Sequence, residues 1–151
     1  MKNKEINQLL NAIKGLEGVG NTKFAYALLK NEKHLLSEAE VIKKLIPEAP
    51  ENAEKYFKKE SEVLAKINAD ETTTIAEKEA QFKKAFAGWK TKNKELTEAI
   101  EKRSAKIEEV EEMEYSGKLH KIDFAELPKA LNKLQLETLE PIVTFPGEEA
   151  A

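Results

Sequence analysis

IAEKEAQFKKAFAGWKTKNKELTEAIEKRSAKIEEVEEM, residues Ile75 to Met113, carries the longest periodic apolar stripe in the chain, and the other elements are placed around it. At heptad spacing its stripe runs through Ile75, Phe82, Phe86, Trp89, Asn93, Leu96, Ile100, Arg103, Ile107 and Val110, with Gly88 as the single glycine and no proline. The pattern predicts one long helix, about 58 Å from end to end at the standard rise. So narrow a stripe on so long a helix needs a partner helix alongside it.

Upstream residues offer that partner. Ile6, Leu9, Leu10, Ile13 and Leu16 repeat at helical spacing and predict a short amphipathic helix over 5–16, which stops at the glycines Gly15, Gly18 and Gly20. Asn21 or Thr22 then caps a second helix with a seam through Phe24, Leu28, Leu35, Ile42 and Leu45. Pro47 and Pro50 interrupt it as either a kink or a turn, and apolar spacing resumes at Ala53, Phe57, Val63, Leu64 and Ile67. Residues 68–74 lack periodicity and make a tip between antiparallel helices. With the tip near residue 72, Phe57 is expected to face Phe86, Leu64 to face Phe82, Ile42 and Leu45 to face Ile100, and Leu35 to face Val110. Lys83, Lys84, Lys90, Lys92 and Lys94 then fall opposite Glu51, Glu54 and Glu60. The acidic cluster Glu108, Glu109, Glu111, Glu112 and Glu114 falls opposite Lys30 and Lys33, which would offset the cost of negative charge at a helix C-terminus.

Beyond Gly117 the period changes. Leu119, Ile122 and Phe124 suit a short extended segment, Asp123 caps a turn through Leu127, and Leu131, Leu134, Leu136 and Leu139 suit short helices ending near Pro141. Ile142, Val143 and Phe145 are expected to dock on the base of the hairpin. The expected architecture is therefore all-α: a single helical domain over 1–146, with an elongated, coiled-coil-like hairpin of arms 22–69 and 75–114. Its base is formed by 5–16 and 118–145, and 147–151 is a disordered tail. The same 3.5-residue stripe also suits pairing between chains.

Composition narrows the function classes. Charged residues make up 35% of the 151 and aromatics 7%, a balance suited to exposed, salt-bridged helices. A net charge of -3 argues against a chain devoted as a whole to nucleic acid, while leaving room for a local patch. With no cysteine there is neither a disulfide framework nor a thiolate nucleophile, which suits a reducing compartment. The opening MKNKEINQLL lacks the apolar core of a signal peptide, and the longest apolar run, Phe24 to Leu29, is too short to span a bilayer. The expectation is a soluble, cytoplasmic protein without membrane or small-molecule partners.

Motifs for chemistry are weak. Gly15, Gly18 and Gly20 precede a helix, as in phosphate loops, but no strand comes before them and no Lys-Ser or Lys-Thr after, so a plain interhelix turn is the better reading. A di-iron bundle needs Glu-x-x-His on two helices, whereas Asn31 precedes His34 and Gly117 precedes His120 at that spacing. His34 reads as a solvated residue on a helix surface. The glutamates from 108 to 114 lack an Asp/Asn/Gly loop to shape oxygen ligands, which favours a salt-bridged face over a cation site. No catalytic residue, metal or cofactor is expected.

The lysines interleaved with Phe82, Phe86 and Trp89 resemble a nucleic-acid surface, but those rings lie on the heptad stripe and read as core. Asn93 and Arg103 on the stripe either fix register or mark where it opens toward water or another protein. Lys83, Lys84, Lys90, Lys92, Lys94, Asn93 and Arg103 are thus the candidate interaction surface.

The opening Lys4-Glu-Ile-Asn-Gln-Leu-Leu-Asn-Ala-Ile13, the Phe24-Ala-Tyr-Ala-Leu-Leu-Lys-Asn31 start of the long arm and the closing Leu136-Glu-Thr-Leu-Glu-Pro-Ile142 resemble an uncharacterised family of small proteins of tailed phages and prophages of Gram-positive bacteria. The chain departs from that family in its Pro47 to Pro50 interruption. The resemblance implies phage origin, a place in the host cytoplasm or the virion, no established activity, and no functional residue carried over. Together these readings lead to the expectation of a noncatalytic helical protein that contacts another protein or itself. A phage factor that inhibits a host protein, and a nucleic-acid binder acting through the lysine face, are the alternatives.

Overall fold

The computed structural model describes residues 1–148, and these are mostly helical. Six α-helices are present among them: α1 (Ile6–Gly15), α2 (Thr22–Leu45), α3 (Ala53–Asn68), α4 (Ile75–Lys92), α5 (Lys94–Glu112) and α6 (Lys133–Leu139). Two short strands, β1 (Ile122–Asp123) and β2 (Val143–Thr144), pair in parallel with Ile122 opposite Val143. The described chain forms two compact units, one of 1–46 with 108–148, the other of 47–107. The division falls inside α5, between Ile107 and Glu108.

In the first unit the core is built as the helical spacing implies. Ile6, Leu9, Leu10, Ile13 and Leu16 are buried together with Phe24, Ala27, Leu28 and Leu35 of α2, and with Ile122, Leu139, Ile142 and Val143 from the C-terminal segment. Ile42 packs against this core, while Leu45, expected on the seam, is exposed. Of the two candidate caps, Asn21 and Thr22, it is Asn21 that caps α2, accepting from the Phe24 amide at 2.9 Å. The preceding turn needs glycine: Gly20 has φ +82°, and a Cβ there would lie 2.8 Å from both the Phe24 ring and Pro128. Glycines 18 and 20 thus serve an interhelix turn.

The N-terminal residues pair with the chain just after α5. The Asn3 amide donates to the Met113 carbonyl at 3.0 Å and the Tyr115 amide to the Met1 carbonyl at 2.9 Å. Asp123 accepts from the Ala125 amide and starts a single tight turn over 124–126. Of the expected disordered tail, Gly147 and Glu148 close a turn in which the Glu148 amide donates to Phe145, and 149–151 lie outside the described residues.

The second unit packs α3 along α4. Asp70 accepts from the amide and hydroxyl of Thr72 in the connection, and Thr74 with Glu77 forms a capping box that starts α4. The α3 seam runs through Ala53, Tyr56, Val63 and Ile67, all buried, with Glu60 half-buried between them. Tyr56, not Phe57, meets α4, and Phe57 and Leu64 are 47% and 39% exposed. The expected facing of Phe57 with Phe86 and of Leu64 with Phe82 is therefore corrected: neighbours on a helix point about 100° apart, so a shift of one residue turns Phe57 out.

A second correction concerns the long helix, which is interrupted. Asn93 leaves helical geometry at φ -122°, ψ 45° and separates α4 from α5. Between α2 and α3 the chain is extended at Ile46 and re-enters helix after Asn52, whose φ of +64° is left-handed, so the two prolines belong to a true break.

Candidate interaction surface

The lysine-rich span of α4 and α5 is laid over an aromatic core. Phe86 is buried and stacks on Trp89 with ring centres 5.6 Å apart, and Tyr56 meets both edge-on at 5.1 and 5.7 Å. Such pairs add about 0.5–1.5 kcal/mol each beyond the area they bury. Phe86 is core, and Phe82 and Trp89 are half-buried against it, in keeping with their place on the stripe.

Lys90 differs from its neighbours. Its ammonium lies 4.9 Å from the centre of the Phe86 ring and 6.0 Å from that of Tyr56, and it pairs with Glu101 at 3.6 Å. Lys94 pairs with Glu98 at 3.8 Å along its own helix. Lys83, Lys84 and Lys92 are exposed and form no ion pair among the described residues. The expected pairing of the five lysines with Glu51, Glu54 and Glu60 is not made among the described residues: Lys90 and Lys94 turn to Glu101 and Glu98 instead, and Glu51 lies in the turn before α3.

Asn93 and Arg103 are both half-buried and both bond to backbone. The Asn93 amide group donates to the Trp89 carbonyl at 2.9 Å, four residues back, which closes off the end of α4. Arg103 donates from Nε to the Pro47 carbonyl at 2.8 Å, supplying a partner to a segment whose prolines disrupt helical bonding. Beside the break is an open cleft of about 620 Å³, lined by Asn52 and Lys55 on one side and Lys92, Asn93, Lys94 and Leu96 on the other. Glu51 and Glu95 also border it, so its charge is mixed. Within α5 the Thr97 hydroxyl is buried and has no hydrogen-bond partner among the described residues.

In the first unit the groups capable of chemistry are engaged in structure. Asn31 is 1% exposed, donates to the His120 carbonyl at 2.9 Å and accepts from the His120 amide at 2.8 Å. A side-chain amide thus takes the place of a neighbouring strand. Its position on the α2 stripe, three residues after Leu28 and four before Leu35, was a signal the seam Phe24, Leu28, Leu35 passed over. His34, expected on a solvated surface, is half-buried with its Nε2 2.6 Å from the Tyr115 hydroxyl. Burial first, and then the Glu38 carboxylate, hold the Tyr115 hydroxyl above its ordinary pKa. His120 is exposed and meets the Tyr26 ring edge-on at 6.4 Å.

The acidic cluster is salt-bridged, but not by Lys30 and Lys33. Lys2 and Lys4 both bind the Glu112 carboxylate, and the N-terminal ammonium lies 3.6 Å from Glu114. Hydrogen bonds from Lys2 and Lys4 hold the Glu112 carboxyl down at about 2. The N-terminal residues reach this site because their backbone is already paired beside it. No cluster of His, Cys, Asp and Glu able to hold a metal ion, and no helix long and apolar enough to cross a membrane, is present among the described residues.

Comparison with protein families, curated proteins and solved structures gives no match.

Proposed function

We propose that the protein is a noncatalytic helical interaction module that contacts another protein through helix faces left open by its own packing. The observation that supports this reading is a pair of apolar edges at heptad spacing, Leu29 with Leu36 on α2 and Phe57 with Leu64 on α3, all substantially exposed. Lone exposed apolar residues are ordinary, but pairs seven residues apart on one helix edge are the spacing by which helices pack on each other. The noncatalytic part draws on the structural engagement of Asn31, His34 and Glu112.

In this reading α3 and α4 form an antiparallel, coiled-coil-like hairpin that holds the Phe57 edge rigid. The resemblance of the chain ends to small phage proteins supports placing its partner either in a virion or among host proteins that a phage factor inhibits.

The test is photo-crosslinking from a benzophenone amino acid placed in turn at 29, 36, 57 and 64 in the producing cells. Defined protein adducts at one edge, and none from a control at exposed Lys129, are expected. A folded protein giving no adduct at any of the four positions would refute the reading.

A second reading, nucleic-acid binding, is favoured by one observation: the 15 residues from Ala80 to Lys94 hold five lysines and no acid. It predicts affinity for single strands that falls steeply with salt.

A further inference from the structure

We infer that the Phe57–Leu64 edge and the adjoining flank of α4 receive an acidic amphipathic helix from another protein. The inference rests on the interaction reading and names the class of partner for this one face.

The seam residues Tyr56 and Val63 each have an exposed apolar residue immediately after them, Phe57 and Leu64, so both fall on the same flank of α3. On α4 the residues that immediately follow the seam residues Phe82 and Trp89 are Lys83 and Lys90. In an antiparallel pair, like flanks adjoin, and the Lys90 ammonium beside the Tyr56 ring places this flank of α4 next to the start of α3. Lys83, one heptad before Lys90, lies on the same flank, and Lys84 follows it.

The face thus combines two apolar side chains with cations that have no partner of their own. Lys83 and Lys84 make no ion pair among the described residues, and no carboxylate occurs from Ala80 to Lys94. Ala80 and Ala87, both exposed, add little bulk beside them, which lets a third helix approach closely. On α3 the nearest carboxylates are Glu54 and Glu60, so the partner's acidic residues are expected over α4 and its apolar stripe over Phe57 and Leu64.

Charge complementarity selects among occupants. A basic helix would meet unpaired lysines. A second copy in isologous contact would bring a second set of the same lysines to one interface. A nucleic acid would find the lysines but not the rings, since Phe86 is buried and Phe82 and Trp89 are half-buried in the core.

The test uses two synthetic helical peptides of about three heptads, with leucine at the seam positions and either glutamate or lysine at the flanks. Binding to the full chain is followed by anisotropy of the labelled peptide, at near-physiological salt. The acidic peptide is expected to bind at least about tenfold more tightly than the lysine peptide. F57S and L64S, both at exposed positions, should each weaken it by about tenfold with the thermal transition unchanged, and K83E should remove the preference for acid.

Equal binding of the two peptides, binding of neither, or indifference to both F57S and L64S overturns the inference. So does displacement of the acidic peptide by a single-stranded oligonucleotide, or a dimer in sedimentation that F57S dissolves. Crosslinks from positions 57 and 64 without the acid preference would sink this inference alone, whereas absence of crosslinks at all four positions would sink the interaction reading as well.

Discussion

Replacing Asn31 by leucine tests whether a single buried amide holds the C-terminal segment onto α2. The side chain makes two hydrogen bonds to one residue, at 2.9 and 2.8 Å, and is 1% exposed. Leucine has similar volume and suits a helix, so the cost comes from the His120 amide and carbonyl left without partners. Each orphaned group costs about 1–3 kcal/mol, and the added apolar burial returns about 1–2 kcal/mol. The two groups together cost about 2–6 kcal/mol, so the net loss is about 0–5 kcal/mol with a midpoint of about 2.5, set against the roughly 5–15 kcal/mol typical of a folded domain.

Urea unfolding followed by far-UV circular dichroism reads the total. Amide exchange reads its location, with His120 and Ile122 losing protection while amides of α3 and α4 keep theirs. Asn31→Asp separates the two bonds, because it keeps the acceptor for the His120 amide at any pH but loses the donor to the His120 carbonyl once the carboxyl ionises. Burial raises such a carboxyl above its ordinary pKa. The folded state then holds the proton more tightly than the unfolded state, so the deficit is smallest at low pH and grows as pH rises from the unfolded value through the folded one. A leucine variant more stable than the parent, unchanged protection at His120, or an aspartate variant with the opposite pH trend would refute the reasoning.

Tyr56→Ala should cost about 3–5 kcal/mol because it opens the aromatic cluster, whereas Phe57→Ala should cost under about 1 kcal/mol, and parallel urea titrations rank the two. Gly20→Ala should destabilise the chain by about 1–3 kcal/mol, since a side chain there meets both a positive φ and the Phe24 ring, and thermal melts check it. Glu112 is held at about 2, below its unfolded value, so its contribution is present above about 4.5 and is lost as pH falls through 2. Protection of the Asn3 amide, taken relative to its intrinsic exchange rate, should fall over that window, and Glu112→Gln should abolish this pH dependence of protection.

The spacing of apolar residues sufficed for α1, for the body of α2 and for the connection before Ile75, because each is decided within a few residues by backbone bonding and side-chain periodicity, while it left the α2 cap open between Asn21 and Thr22. The aromatic stripe of α4 was legible as core for the same reason. Local pattern does not choose between Tyr56 and Phe57: adjacent apolar residues fit equally well on a helix until the second helix takes its place, and that placement put Tyr56 inward.

Asn93 fell on the stripe as a polar member, yet that it ends a helix depends on its side chain bonding back to Trp89. The bonds of Asn31 to His120 join residues 89 apart, and those of Lys2 and Lys4 to Glu112 join residues 110 and 108 apart. No periodicity encodes such pairings, since they arise only when separate segments fold onto one another. Local pattern is enough to make most of the chain helical and to mark the apolar faces, because both follow from neighbours three and four residues apart; where the long helices break, which faces are covered and which charges stay unpaired follow from packing between distant segments.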